Sequence, residues 1–411
     1  MTSLTSPSQV ESEAVWVTDV LPETETETPP EPLAGLPEVP PFPVPWRHPL
    51  RCIGWTVRMA FGVATLIALL AIVAAVPVLN LLVLGYFLEA EGRVVRSGRF
   101  RDGFPLLGFA PRLGSIAIGF LLFLGPLLLI NGFAADARLI DPDGSVARRW
   151  TTVLNIASIA VGVHLTLALA RGGTLGCFLR PLKNLRWLIG QVREQGVRNA
   201  YLKADETLAN GLKATQPGQL FWLGLRGLIG GMIWLVPPTV VFAAADSNRP
   251  ATMLITILGG VLLMLVFGWL PMLQARFAAN NEFRTLFRWK ETRRLFRNAP
   301  LAWMFAIVVT YVLALPLYLA KVALPPRDAV WLLTPLFIVG VYPARILTGW
   351  AVSRAERRET PTWRGWQWLG RLIIVPILAA YVFLLFFTQY VGAEGRQVLF
   401  QHHALLLPSP F

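Results

Sequence analysis

The chain has 411 residues, 55% of them hydrophobic and only 15% charged, with a mean hydropathy of +0.55. A soluble domain carries about a quarter charged residues, so a typical soluble enzyme is excluded and an all-α, polytopic transmembrane helical bundle is expected. The net charge of +13 in so apolar a chain points to basic loops lying against anionic phospholipids rather than to nucleic acid, and no nucleic-acid partner is expected.

Residues 1–46 hold eight acids and no Lys or Arg. Their acidic, Pro-rich runs, ETETETPPEP and PEVPPFPVP, have no apolar periodicity and read as a disordered tail. No basic region followed by an apolar stretch appears there, which argues against a cleavable signal peptide. Residues 47–393 read as one multi-spanning membrane domain and 394–411 as a short C-tail.

Stretches free of ionisable residues give the spans, since a crossing needs about 20 apolar residues. They are Met59–Leu88, Leu113–Ala135, Trp150–Ala170, Gly227–Ala245, Pro250–Ala275, Asn298–Ala320, Ala329–Ala344 and Leu372–Ala393. The seventh reaches full length if Arg345 snorkels and the helix runs on through Trp350. The apolar stretch Ile53–Leu88 is too long for one straight crossing; with Pro77 inside it, either one kinked helix or a hairpin returning at Pro77 satisfies the length.

Charge separates these two. Lys and Arg number five over 89–112, nine over 171–226, seven over 276–297 and six over 345–371, but three over 136–149, one over 246–249, two over 321–327 and one in the C-tail. The rich connectors are cytoplasmic by the positive-inside rule. A returning hairpin adds Arg47, Arg51 and Arg58 to that side and raises the partition to 30 against 7, which favours it. Connector 171–226 carries an amphipathic pattern, with Leu182, Leu185, Leu188, Ile189 and Val192 on one face and Lys183, Arg186 and Arg193 around it, as in a helix lying on headgroups. Residues 276–297 form a second basic, aromatic candidate.

A loose repeat runs through the chain: Gly85-Tyr86 leads to Phe100-Arg101-Asp102-Gly103, Gly349-Trp350 to Trp363-Arg364-Gly365, and Gly268-Trp269 through Pro271 to Phe296-Arg297-Asn298. Each unit reads as a hairpin whose second helix exits with a small residue and an interfacial aromatic.

Few positions invite chemistry. His164 is the one ionisable residue well inside a window; without an acidic partner in another span it reads as a structural hydrogen bond rather than a proton relay. Arg226, among Gly224, Gly227, Gly230 and Gly231, is a candidate lipid or anion contact. Pro237-Pro238 should break its helix and expose carbonyls, making that span the best pointer to a cavity. Glu89 and Glu91 are expected to pair with Arg93 and Arg96. Cys52, Cys177, His48, His164, His402 and His403 lack ligand spacing, and no cofactor, metal or catalytic motif is present.

The run LGYFLEAEGRVVRSGRFRDGFPLLG, Leu84 to Gly108, with its Gly-Tyr helix exit, Arg-Val-Val-Arg and aromatic-bounded Pro, resembles uncharacterised prokaryotic polytopic membrane proteins grouped as a domain of unknown function. The resemblance implies no activity. With 32 Arg against five Lys, a bacterial cytoplasmic membrane is the expected location. The leading expectation is a non-enzymatic scaffold or assembly partner; the alternative is a transporter or permease for a small or lipidic solute, which should contain a polar midplane cavity.

Overall fold

Proline opens many of the long helices, at positions where a missing N–H costs no hydrogen bond. It stands first or second in α1 (Pro49–Ala74), α3 (Ala110–Ile140), α7 (Pro217–Phe242), α8 (Pro250–Asn280) and α10 (Pro300–Val322). The other helices are α2 (Asn80–Ser97), α4 (Ser145–Ala170), a single turn α5 (Leu175–Phe178), α6 (181–190), α9 (Trp289–Asn298), α11 (Leu333–Glu356) and α12 (Arg364–Val391). This computed structural model describes residues 39–44, 46–190, 193, 216–244, 250–322, 332–391 and 395–406. All lie in the second of two units, Pro32–Phe411. Among them no strand occurs, and eight helices are long and apolar enough to cross a membrane. The chain is an all-α, multi-pass membrane protein.

The apolar stretch from Ile53 does break at Pro77. Residues 75–79 form a turn in which Val78 takes the left-handed region, φ 72°, costly for a β-branched residue. The chain then doubles back. Phe61 and Thr65 of α1 lie against Gly114, and Gly62 against Leu107 and Pro111, a stretch entered just after α2 ends.

Helices α2, α8 and α11 pack on one another at the centre. Their last turns share one end of the bundle, where Arg96 donates to the Ala279 carbonyl and Arg357 to that of Ser97. Helix α7 starts there, its Arg226 donating to the Asn281 carbonyl, and Thr362, just before α12, donates its N–H to the Arg297 carbonyl. The connectors rich in Lys and Arg that follow α2, α8 and α11 therefore cluster at one end. Around the trio, α7 packs on α2 and α8, α10 on α11 and α12, and α1 on α11 and α3. Burial follows this order. The apolar window of α11 is 72% buried, those of α3 and α4 only 11%, so α3 and α4 form an outer leaf.

Close approach requires glycine at the crossings. A Cβ on Gly85 would stand 1.8 Å from the Leu220 carbonyl oxygen, and one on Gly224 would stand 2.0 Å from that of Leu81. Small residues let membrane helices meet backbone to backbone where no hydrophobic force drives them together.

The repeat is tighter than the sequence reading gave, and its register differs. Residues 85–104 and 268–287 align without a gap, matching Gly85 with Gly268, Tyr86 with Trp269, Glu91 with Gln274, Arg93 with Arg276 and Phe100-Arg101 with Phe283-Arg284. Both helices stop on a left-handed residue at the same position, Gly98 (φ 70°) and Asn281 (φ 56°). Each is followed by a 3-10 turn, Phe100–Gly103 and Phe283–Phe287. The partner of Phe100-Arg101 is thus Phe283-Arg284 and not Phe296-Arg297. After α11 the described residues 357–363 form no such turn.

Two ends of the chain bear on earlier expectations. Of the tail, residues 1–38 and 45 fall outside the described residues, while Phe42 packs edge-on to Trp55 and Trp55 donates to the Pro40 carbonyl. At the other terminus, 395–406 turn back into the bundle as a 3-10 segment, Gly395–Leu405, burying Val398, Leu399, His402 and Leu406.

Replacing Gly85 by Ala should separate α2 from α7 and cost at least the 1–3 kcal/mol, roughly, of an overpacked core. Gly162→Ala on α4, where nothing lies within 4 Å, should be neutral or stabilising. Unfolding temperature in mild detergent checks both; equal temperatures for the two variants would contradict the crossing.

Candidate functional site

An arginine in the middle of an apolar helix can stay charged only if its donors meet acceptors, because desolvating it alone is prohibitive. Arg345 is in that position. It does not snorkel: it is buried on α11, and its Nη1 donates to Gln274 Oε1 of α8 at 2.7 Å and to Glu91 Oε2 of α2 at 3.3 Å. The Thr348 hydroxyl reaches the other Glu91 oxygen. Gln274 in turn donates to the Gly227 carbonyl at 3.3 Å, bringing α7 into the network. Glu91 is 0% exposed. The expectation that it pairs with Arg93 and Arg96 near a helix exit holds for Glu89, at 2.9 and 3.2 Å, but not for Glu91, which faces the opposite way into the bundle.

Glu91 and Gln274 occupy equivalent positions in the repeat, so two matching helices grip one guanidinium from two sides. Nearby, the Tyr342 hydroxyl donates to the Gly103 carbonyl at 2.7 Å, which leaves Tyr86 as donor in its 2.8 Å contact with Tyr342.

Beside the cluster lies a cavity of about 40 Å³, bounded by Gln274, Arg345 and Thr348 on one side and by Leu235, Phe267, Thr310 and His402 on others. That space holds on the order of two or three waters. The Thr310 hydroxyl is buried at its wall and meets no partner among the described residues. The C-terminal segment closes it, with His402 3.3 Å from the Thr239 hydroxyl and edge-on to Phe267. Irregular backbone at such depth persists only against protein or a cavity, and here it has both.

Pro271 adds a link between α8 and α10. A helix proline frees the carbonyl four residues back; that of Phe267 accepts the Tyr311 hydroxyl at 2.8 Å, and the neighbouring Gly268 carbonyl accepts Trp303 Nε1 at 3.3 Å.

The residues singled out from sequence do not converge. His164 bonds the Phe178 carbonyl at 2.9 Å and packs on Phe123, a structural contact in the outer leaf. Arg226 bonds Asn281 and lies over the Trp222 and Phe277 rings, 5.8 and 5.7 Å away. Pro237 and Pro238 do not break α7, which continues to Phe242; the cavity touches that helix at Leu235, one turn away. In the connector 171–226, residues 191–192 and 194–215 lie outside the described residues. Its helix α6 leaves Leu182, Leu185 and Ile189 exposed and buries Asn184, which accepts from Arg171 at 2.7 Å.

Comparison with known proteins adds one finding. Residues 205–325 match a family model described as a protein of unknown function, DUF4013. The match covers less than a third of the chain, includes Gln274 but neither Glu91 nor Arg345, and does not overlap Leu84–Gly108. No curated protein and no solved structure matches the chain.

Arg345→Met strands a buried carboxylate and should cost about 3–5 kcal/mol, whereas combining it with Glu91→Leu should recover most of that loss. Chemical unfolding in mild detergent measures both. A single variant as stable as the parent would deny the pair its organising role.

Proposed function

We propose that this multi-pass membrane protein is a permease for a small polar solute, described here in a closed state, with its basic end in the bacterial cytoplasm. The observation that carries the reading is a cavity walled in part by Gln274, Arg345 and Thr348, with Glu91 paired to Arg345 behind that wall. Ionisable groups inside a membrane bundle are expensive, and their commonest use is on a solute or ion pathway. The repeat supports it as well, since carriers commonly bind at the interface between repeated units. The lining offers the Arg345 guanidinium, the Gln274 amide and the Thr310 and Thr348 hydroxyls, a set suited to a hydrogen-bonding solute of a few heavy atoms, neutral or anionic.

A scaffold role is the second reading, favoured by the exposed Trp363, Trp366 and Trp368 beside the arginines of the basic end. Neither reading uses enzymatic chemistry.

Reconstituted vesicles distinguish the two. With urea, glycerol or potassium formate as the permeant in a stopped-flow swelling assay, ending the chain after residue 394, or the milder His402→Ala, should raise the rate of at least one solute several-fold over the full chain. Rates equal to protein-free vesicles throughout would remove the permease reading and leave the scaffold. For orientation, Cys177 is a poor reporter because it is buried. Asp143→Cys, in the turn between α3 and α4, should react with an impermeant thiol reagent in intact cells, and Arg101→Cys only after permeabilisation. The reverse pattern would invert the topology.

A further inference from the structure

A second site stands apart from the cavity, at the basic end. Helix α9 and the first turns of α12 bound an open groove of about 410 Å³, bordered by Trp289, Lys290, Arg293, Arg294, Arg297 and Arg371. Its five cations make no ion pair among the described residues. The acid that α9 does carry is used elsewhere: Glu291 accepts from Arg276 at 2.8 Å, and that bond holds its carboxyl below the usual carboxylate range. Arg276 also approaches Glu356 at 3.5 Å. Arg371 is held over the faces of Phe296 and Trp368, 5.7 Å from each, which fixes its guanidinium at the groove.

Five like charges gathered without a counter-charge repel one another, and an anion between them turns that repulsion into attraction. The surroundings identify the anion. Trp368, 68% exposed near the start of the apolar helix α12, and Trp289, 42% exposed at the start of the basic helix α9, sit at the end of the bundle where tryptophan meets headgroups. Next along the chain from these arginines, Leu301 and Phe305 on α10 and Leu372 on α12 are exposed. The two helices that carry the groove's cations therefore lead on to exposed apolar side chains.

We infer that the α9–α12 groove binds the headgroup of an anionic phospholipid, with Arg293, Arg294, Arg297 and Arg371 on the phosphate and the acyl chains against Leu301, Phe305 and Leu372. This narrows the affinity expected of basic loops for anionic lipid to one site. It does not depend on the permease reading, because it uses none of the cavity residues.

The test titrates short-chain phosphatidylglycerol or phosphatidylcholine into the full-length protein in mild detergent, with binding read by thermophoresis. Phosphatidylglycerol should bind at least tenfold more tightly than phosphatidylcholine. Arg293→Gln/Arg294→Gln/Arg297→Gln should lose that preference, and Arg371→Gln alone should weaken it several-fold. Arg148→Gln/Arg149→Gln, at the start of α4, should leave it unchanged. Size-exclusion profiles identify any variant that fails to fold, in which case Arg371→Gln alone decides. Equal affinity for the two lipids, or a preference unaffected by the α9 and Arg371 variants, would overturn the assignment. So would inorganic phosphate or heparin displacing the lipid at equal charge concentration, since the groove would then be a site for soluble anions.

Discussion

The positive charge of Arg345, held among apolar helices, is the constraint from which much of the rest of the bundle follows. Two charges at close range attract far more strongly in a low dielectric than in water, but the pair persists only when its geometry is good and its remaining donors and acceptors are met. Glu91, Gln274 and Thr348 meet them here. Because these residues come from α2, α8 and α11, the requirement fixes the depth of three helices relative to one another, which apolar contacts alone leave free to slide. Backbone-to-backbone packing then becomes necessary. Gly92 lets α2 lie against the Ala278 carbonyl and Gly349 lets α11 lie against that of Glu91, with distances to an added Cβ of 2.5 and 2.6 Å.

The repeat explains how one guanidinium comes to sit between two helices of similar sequence. A strict repeat would present identical side chains at equivalent positions, and two carboxylates facing one arginine would leave a net buried negative charge. Glutamate at one position and glutamine at the other give neutrality with one cation, while both supply an acceptor oxygen. The electrostatics thus account for the one difference between the copies that touches Arg345, while Gly85, Arg93, Phe100, Arg101 and Phe104 keep the same residue in Gly268, Arg276, Phe283, Arg284 and Phe287.

Fold class, the break at Pro77 and the clustering of basic connectors were legible because they rest on length and charge, which lipid constrains strongly. The site was not, and the reason lies in the reading itself. Charge-free windows end at a charge, so Glu91 read as an interfacial partner of Arg93 and Arg96 and Arg345 as a snorkelling residue in a helix running on through Trp350, although both lie inside the bundle. The legible signal was apolar sequence on both sides of a single charge, as in IVGVYPARILTGWAV. His164 stood out because a histidine did not close a window, and it proved to be a packing residue. The C-terminal segment was missed because a 3-10 helix has no amphipathic period long enough to read; Val398, Leu399, His402 and Leu406 form its buried side.

The prolines inside the long helices also bear on mechanics. A proline usually leaves a helix easier to bend at the turn before it, since the ring withholds one hydrogen bond and crowds a carbonyl. In α8 the freed carbonyl of Phe267 and the neighbouring one of Gly268 are claimed by Tyr311 and Trp303 from α10. Bending at Pro271 therefore means surrendering two cross-helix bonds. The hinge is latched, and the latch belongs to its neighbour: any motion that opens α8 has to carry α10 along or begin with it.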